Sequence, residues 1–225
     1  MKTMKLRWAV AIIALIIVAD QAIKIWIKTH FPFGHVTNIL GLPWAKLYFI
    51  ENPGMAWGME LGGEWGKMIL TLFRLAAVIF GTWYLGRIVR HKYSRGFIVC
   101  AALIYAGALG NLIDSMFYGL IFEETTYSHV ARIFPPNGGY AGFLHGRVVD
   151  MLYFPMVHSR FPQWMPFIGG HEFEFFSPIF NIADASISVG VITLLLFQKR
   201  FMHRRHHDAV PSVNRDAEVS DAHVI

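Results

Sequence analysis

Four stretches of this 225-residue chain are apolar and long enough to cross a bilayer: Trp8–Ile27, Met68–Val89, Phe97–Phe117 and Ile179–Phe197. A hydrocarbon core about 30 Å thick takes about 20 helical residues, so each run has spanning length. Backbone groups in lipid must bond internally, so each run predicts a helix. The expected fold is a membrane all-α bundle of four transmembrane helices with a small extracytoplasmic β-element. Composition agrees: 55% of the residues are hydrophobic and the mean hydropathy is +0.43, too apolar for an ordinary soluble domain. The first run does not read as a cleaved leader. It lacks a clear small-x-small cleavage site, and Asp20, Gln21 and Lys24 interrupt its end.

Orientation follows from lysine and arginine. Lys2, Lys5 and Arg7 precede the first run, Arg87, Arg90, Lys92 and Arg95 separate the second from the third, and Lys199, Arg200, Arg204 and Arg205 follow the fourth. No acid interrupts these clusters, so the positive-inside rule places both termini and the middle loop in the cytoplasm. Residues 28–67 and 118–178 then face outward. Residues 1–198 form one membrane domain, and 199–225 read as a polar, disordered cytoplasmic tail. The net charge of +5 is therefore topological, and no nucleic-acid partner is expected. The single cysteine, Cys100, rules out an internal disulfide and reads as a small buried residue.

Ionisable groups inside the runs are costly and mark a functional site by default. Asp20 stands ~18 Å above the inner start of the first run and Asp114 ~26 Å above that of the third. Arg74 and Asp184 lie ~9 and ~8 Å below the outer ends of the second and fourth. All four therefore share the outer part of the membrane. Asn111 and Asn181 each stand three residues before an aspartate, a spacing that puts each pair on the same helical face. That repeated spacing, taken alone, pairs Asp114 with Asp184. Asp20 and Lys24, four apart, either neutralise each other or support the site. Arg74 either snorkels to the outer headgroups or balances the acids.

The outer segments carry strand candidates at Leu47–Ile50 and Gly146–Tyr153, with a turn at Asn52-Pro53-Gly54. Trp44, Trp57 and Trp65 suit an interfacial belt. His129, His145, His158 and His171 lack a compact ligand spacing, so no metal is assigned, and no cofactor motif is present.

Five motifs occur in order: Asp20-Gln21-x-x-Lys24, Asn52-Pro53-Gly54-x-Ala56-Trp57, Gly107-Ala108-Leu109-Gly110-Asn111-Leu112-Ile113-Asp114, Gly146-x-Val148-Val149-Asp150 and Phe180-Asn181-x-Ala183-Asp184. In register with four spans, this set resembles the lipoprotein signal peptidases, the type II signal peptidases of bacteria, from about Trp8 to Phe197. The resemblance implies an intramembrane aspartic endopeptidase of the bacterial cytoplasmic (inner) membrane. Its substrate would be a diacylglyceryl-modified prolipoprotein, cut just before the lipidated cysteine at the outer interface. The catalytic acids would be Asp150 and Asp184, with Asp114 moved to a supporting role. Asp20, Asn52, Gly54, Asn111 and Asn181 match supporting or substrate-orienting positions. The chain is expected to act as a monomer among membrane lipids.

Three departures stand out. The family usually has arginine after the third-span aspartate, where this chain has Ser115, and Arg74 is a candidate to supply that charge. Met55 and Trp57 replace the usual alanine and phenylalanine. Leu120–His145 reads as an insertion, loop rather than core by its Pro135-Pro136 and Gly138-Gly139, and dispensable for the chemistry. A small proton-coupled transporter is the competing class, since it too would carry intramembrane Asp and Arg. Transporter sites lie near the midplane between repeats, however, and these acids cluster outward. A non-catalytic membrane scaffold is a second competitor.

Overall fold

A computed structural model describes residues 4–53, 63–155, 157–160, 162–167, 169–175 and 178–202. Four helices among these residues are long and apolar enough to cross a membrane. They are α1 (Leu6–His30), α2 (Gly63–Arg90), α3 (Arg95–Ile121) and α4 (Ile182–Met202). α1 stops where Phe31, the residue before Pro32, turns extended at φ −124° and ψ 142°. The proline ring disfavours helix at the residue it follows. α3 starts at a capped end, with Ser94 Oγ accepting from Phe97 N at 3.4 Å.

α3 is the central helix and packs against the other three. Its glycines make this possible. A Cβ on Gly110 would sit 3.0 Å from Asp20 Oδ2 and 3.3 Å from Ala183 Cβ, and Gly107 faces the Ala183 carbonyl. Small residues let helices approach closely where lipid supplies no hydrophobic drive. Large apolar side chains cover the outside: Leu15, Val18, Phe73, Phe80 and Leu196 are all mostly exposed. A helical belt of this kind is what hydrocarbon solvates.

At one end of the bundle lies an antiparallel sheet in the order β1-β2-β3-β6. Its strands are β1 (Val36–Asn38), β2 (Lys46–Asn52), β3 (Val148–Tyr153) and β6 (Ile179–Phe180). β4 (Val157–Arg160) and β5 (Glu172–Phe175) form a separate hairpin between β3 and β6. Ile50 pairs with Asp150, Glu51 with Val149 and Leu152 with Phe180. The fourth apolar run is therefore not helical from its start. Ile179 and Phe180 are claimed by β3, and the helix begins only at Ile182.

The inserted stretch also differs from its expected form. It is irregular in backbone, yet Phe122, Thr125 and Ala131 are buried. Phe122 belongs to one apolar cluster with Ile27, Phe49, Tyr118, Val149 and Met151, and Tyr140 packs against it. The reading of Leu120–His145 as loop rather than core is corrected accordingly. Prolines and glycines shape its backbone, while Phe122 and Tyr140 pack into the apolar cluster between α1, α3, β2 and β3.

Candidate active site

Lys24 is the hub of the polar interior. It is completely buried, and its ammonium meets Asp20 Oδ2 at 2.8 Å, Asp114 Oδ2 at 2.8 Å and Asn111 Oδ1 at 2.9 Å. An ammonium has three donors, so all three are satisfied. Gln21 Nε2 donates to Asp114 Oδ1 at 2.8 Å, and Tyr118 Oη donates to Gln21 Oε1 at 3.0 Å. The Asp20–Lys24 pair is therefore real, but it is one edge of a network joining α1 to α3.

The two acids of this network reach beyond it. Asp114 Oδ2 accepts from the backbone N–H of Val149 at 3.3 Å. Asp20 Oδ1 accepts from the backbone N–H of Ala183 at 2.9 Å. Val149 immediately precedes Asp150, and Ala183 immediately precedes Asp184. One ammonium thus tethers, through two carboxylates, the chain next to both remaining acids.

Asn181 does not share a helical face with Asp184. It caps α4 instead: Asp184 N donates to Asn181 Oδ1 at 2.9 Å, and Asn181 N donates to Asp184 Oδ2 at 3.3 Å. This reciprocal pair is a capping box, which fixes the aspartate in the first turn. The first turn of a helix also favours negative charge.

Amides bridge the two acids. Asn181 Nδ2 donates to Asp150 Oδ1 at 2.7 Å and to Asn111 Oδ1 at 3.1 Å, while Asn111 Nδ2 donates to Asp184 Oδ1 at 2.7 Å. Asn52, at the end of β2, donates from Nδ2 to Asp150 Oδ2 at 3.3 Å. Asp150 is buried on β3 and Asp184 is half-buried. Burial, and then the neighbouring Asp184 charge, push the Asp150 carboxyl up to about 7, against the opposing amides of Asn52 and Asn181 and the Lys24 charge. Asp114, which the spacing would pair with Asp184, spends its oxygens on Lys24, Gln21 and the Val149 amide.

Arg74 reaches the same level from α2. Its Nη1 donates to Ser115 Oγ at 3.0 Å, and Ser115 Oγ donates to the Asn111 carbonyl at 3.0 Å. At Ser115 α3 widens into a π-helical turn, Asp114–Tyr118, a distortion common at functional sites. Gly54, with Met55 and Trp57, lies outside the described residues. Tyr118 and the bridging role of Gln21 escaped the sequence reading. Gln21 had a signal, being polar within an apolar run, whereas Tyr118 had none.

Among the described residues no group of three or more His, Cys, Asp or Glu is arranged to hold a metal ion. What the arrangement offers is two carboxyls at a buried edge, one with a raised affinity for a proton, each held by asparagine amides. This is the equipment for acid–base work on a water molecule.

The chain is similar to known proteins over most of its length. Residues 12–200 match the family model described as signal peptidase (SPase) II. A lipoprotein signal peptidase of Porphyromonas gingivalis (strain ATCC 33277) is 48% identical over 191 residues, covering 84% of this chain and 82% of that protein. A lipoprotein signal peptidase of Amoebophilus asiaticus (strain 5a2) is 32% identical, again over 191 residues, covering 84% of this chain and 75% of that one. A solved structure described as a bacterial membrane enzyme shares the fold with a TM-score of 0.57 at 22% identity, covering 93% of this chain and 98% of its own. The chain is a multi-pass membrane protein and belongs to the signal peptidase II family.

Proposed function

We propose that this chain is an aspartic endopeptidase that removes the signal peptide of diacylglyceryl-modified prolipoproteins, with Asp150 and Asp184 as the catalytic pair. The observation that carries the reading is the amide bridge from Asp150 through Asn181 and Asn111 to Asp184. It holds two acids from different elements at one place, and the raised proton affinity of Asp150 suits a pair that shares one proton.

In this mechanism a water molecule sits between the carboxyls. The ionised member takes its proton as the oxygen attacks the scissile carbonyl carbon, and the protonated member donates to the carbonyl oxygen. A tetrahedral diol results, with no covalent bond to the enzyme. Collapse of the diol breaks the bond to the cysteine nitrogen, which takes a proton from one carboxyl while the other carboxyl accepts one from a diol hydroxyl, restoring the pair. Burial raises the proton affinity of the Asp150 carboxyl, which suits it to begin as the protonated member. Asn52, Asn111 and Asn181 orient the acids. Asp20, Lys24 and Asp114 hold the backbone on which the acids stand. Arg74 supplies, through Ser115, the cation that family members carry on the third span. Gly54 keeps its substrate-orienting role from the resemblance.

Orientation completes the proposal. The basic clusters put both termini in the cytoplasm of a bacterial inner membrane, so the site opens at the outer interface, where the acyl chains of the substrate already lie. The chain acts as a monomer and needs no cofactor. Cleavage of a diacylglyceryl-modified prolipoprotein by the purified chain in detergent tests the activity. Reporter fusions after Arg90 and Gly139 test the orientation. No cleavage by a folded preparation, or an outside signal after Arg90, would defeat the respective part.

A further inference from the structure

A second buried charge cluster lies behind the catalytic strand, and nothing in the mechanism above uses it. Side chains alternate across a sheet, so Asp150 and Asn52 share one face while Glu51, paired with Val149, points to the other. There the Glu51 carboxylate is buried. It forms an ion pair with Lys28, itself completely buried, and accepts from Arg147 Nη1 at 3.5 Å. Lys28 Nζ also donates to Thr125 Oγ1 at 2.9 Å and lies 5.0 Å from the ring centroid of Tyr140. Arg147 binds Glu124 Oε1 at 2.8 Å, and its backbone N–H donates to Tyr140 Oη at 2.6 Å.

Apart from Lys28 on α1 and Glu51 on β2, every member comes from the inserted stretch or its junction with β3. Thr125, Glu124 and Tyr140 are in the insertion, and Arg147 directly precedes Val148-Val149-Asp150. The neighbours of Glu51 on β2 both address the acid: Ile50 pairs with Asp150 and Asn52 donates to it. A shift of Glu51 is therefore passed to Asp150 by two routes.

We propose that Lys28, Glu51 and Arg147 form a positioning cluster, through which the inserted segment sets the height of β2 and β3 and so holds Asp150 against Asp184. The proposal rests on the reading of Asp150 and Asp184 as the catalytic pair. The physical logic is that of a buried ion pair, which adds little net stability over apolar isosteres but punishes the loss of one partner. Glu51→Gln leaves the Lys28 ammonium buried with a neutral partner, and β2 must shift to relieve it. Removing both charges leaves nothing to relieve.

The experiment measures kcat and KM for a diacylglyceryl-modified prolipoprotein, at a temperature where melts show each purified variant folded. Glu51→Gln is expected to lose about 10–100-fold in kcat with KM within about threefold, since geometry at the reacting atoms is lost rather than substrate binding. Arg147→Met keeps the buried pair and is expected to lose about 3–10-fold in kcat, which leaves the proposal readable if Glu51→Gln does not fold. The charge-free Lys28→Met/Glu51→Met pair is expected to recover to the level of Arg147→Met, about 3–10-fold below the parent kcat, since it too lacks the Arg147–Glu51 contact. Lowered melting with parental kcat in the single variants would reduce the cluster to a structural role and overturn the proposal. A charge-free pair as slow as Glu51→Gln would overturn it too. Asp150→Asn, measured alongside, separates the two readings. Turnover by that variant sinks the catalytic pair, whereas a dead Asp150→Asn beside a parental Glu51→Gln sinks only the positioning.

Discussion

Asp150→Asn should stabilise the protein at high pH and destabilise it at low pH. The buried Asp150 carboxyl is pushed from 3.8 up to about 7, first by burial and then by Asp184. The folded state therefore holds a proton between those values that the unfolded chain releases. Stability falls as pH rises from about 4 to about 7, at about 1.4 kcal/mol per unit, and is flat above. The full penalty is about 4 kcal/mol at pH 8. Asparagine removes it. Asparagine also turns an NH2 group towards one of two donors, Asn181 Nδ2 at 2.7 Å or Asn52 Nδ2 at 3.3 Å. A misplaced buried donor costs about 1–2 kcal/mol at any pH. The variant should thus be about 2–3 kcal/mol more stable than the parent at pH 8 and about 1–2 kcal/mol less stable near pH 4, with the curves crossing near pH 5. Melts of both proteins in one detergent at pH 4.5, 6 and 8 measure this. A variant less stable than the parent at pH 8, or a gap that does not change with pH, would refute the reasoning.

Three other outcomes follow from the same geometry. Lys24→Met leaves the buried Asp20 and Asp114 without their cation, and should cost about 3–5 kcal/mol, read as a lowered melting temperature; a loss below about 1 kcal/mol would contradict the hub role of Lys24. The alkaline limb of kcat/KM should fall with a midpoint near 7, as Asp150 gives up its proton and the pair loses its acid; activity constant from pH 6 to pH 9 would contradict this. Arg74→Gln should lose about tenfold in kcat while melting near the parent, whereas Arg74→Lys should recover part of it; full activity in Arg74→Gln would leave Arg74 a membrane anchor.

Much of the architecture was legible because lipid imposes it. Four apolar runs between basic clusters leave little choice but a four-helix bundle. The polar site was legible in part, since Asp20, Lys24, Asn111, Asp114, Asn181 and Asp184 stand out against apolar neighbours. Their partners were not. Helical spacing says which residues share a face of one helix, but not which way that face points. Asp114 thus looked like the mate of Asp184 and instead serves Lys24 and the Val149 amide. Asn181 looked helical because Ile179 and Phe180 extend the apolar run, yet pairing with β3 makes it a cap. Asp150 had no local signal, because a single acid in an outer strand is ordinary until the sheet buries it; only the motif around it pointed there. Lys28 and Glu51 were silent for the same reason. Each is a lone charge in a different segment, and their meeting depends on the insertion folding over them. Proline and glycine in that insertion reported its backbone shape and said nothing of the burial of Phe122.

The central claim is that Asp150 and Asp184 act as one unit while Asp114 and Asp20 support them. Turnover of a diacylglyceryl-modified prolipoprotein by purified, folded Asp150→Asn, Asp184→Asn, their double variant and Asp114→Asn tests it most directly. The account predicts no detectable turnover in either single variant, a double variant no worse than each, and measurable residual activity in folded Asp114→Asn, since residues acting as a unit are non-additive. Substantial cleavage by folded Asp150→Asn together with a dead but folded Asp114→Asn would contradict it, and would return the catalytic role to the pair Asp114 and Asp184.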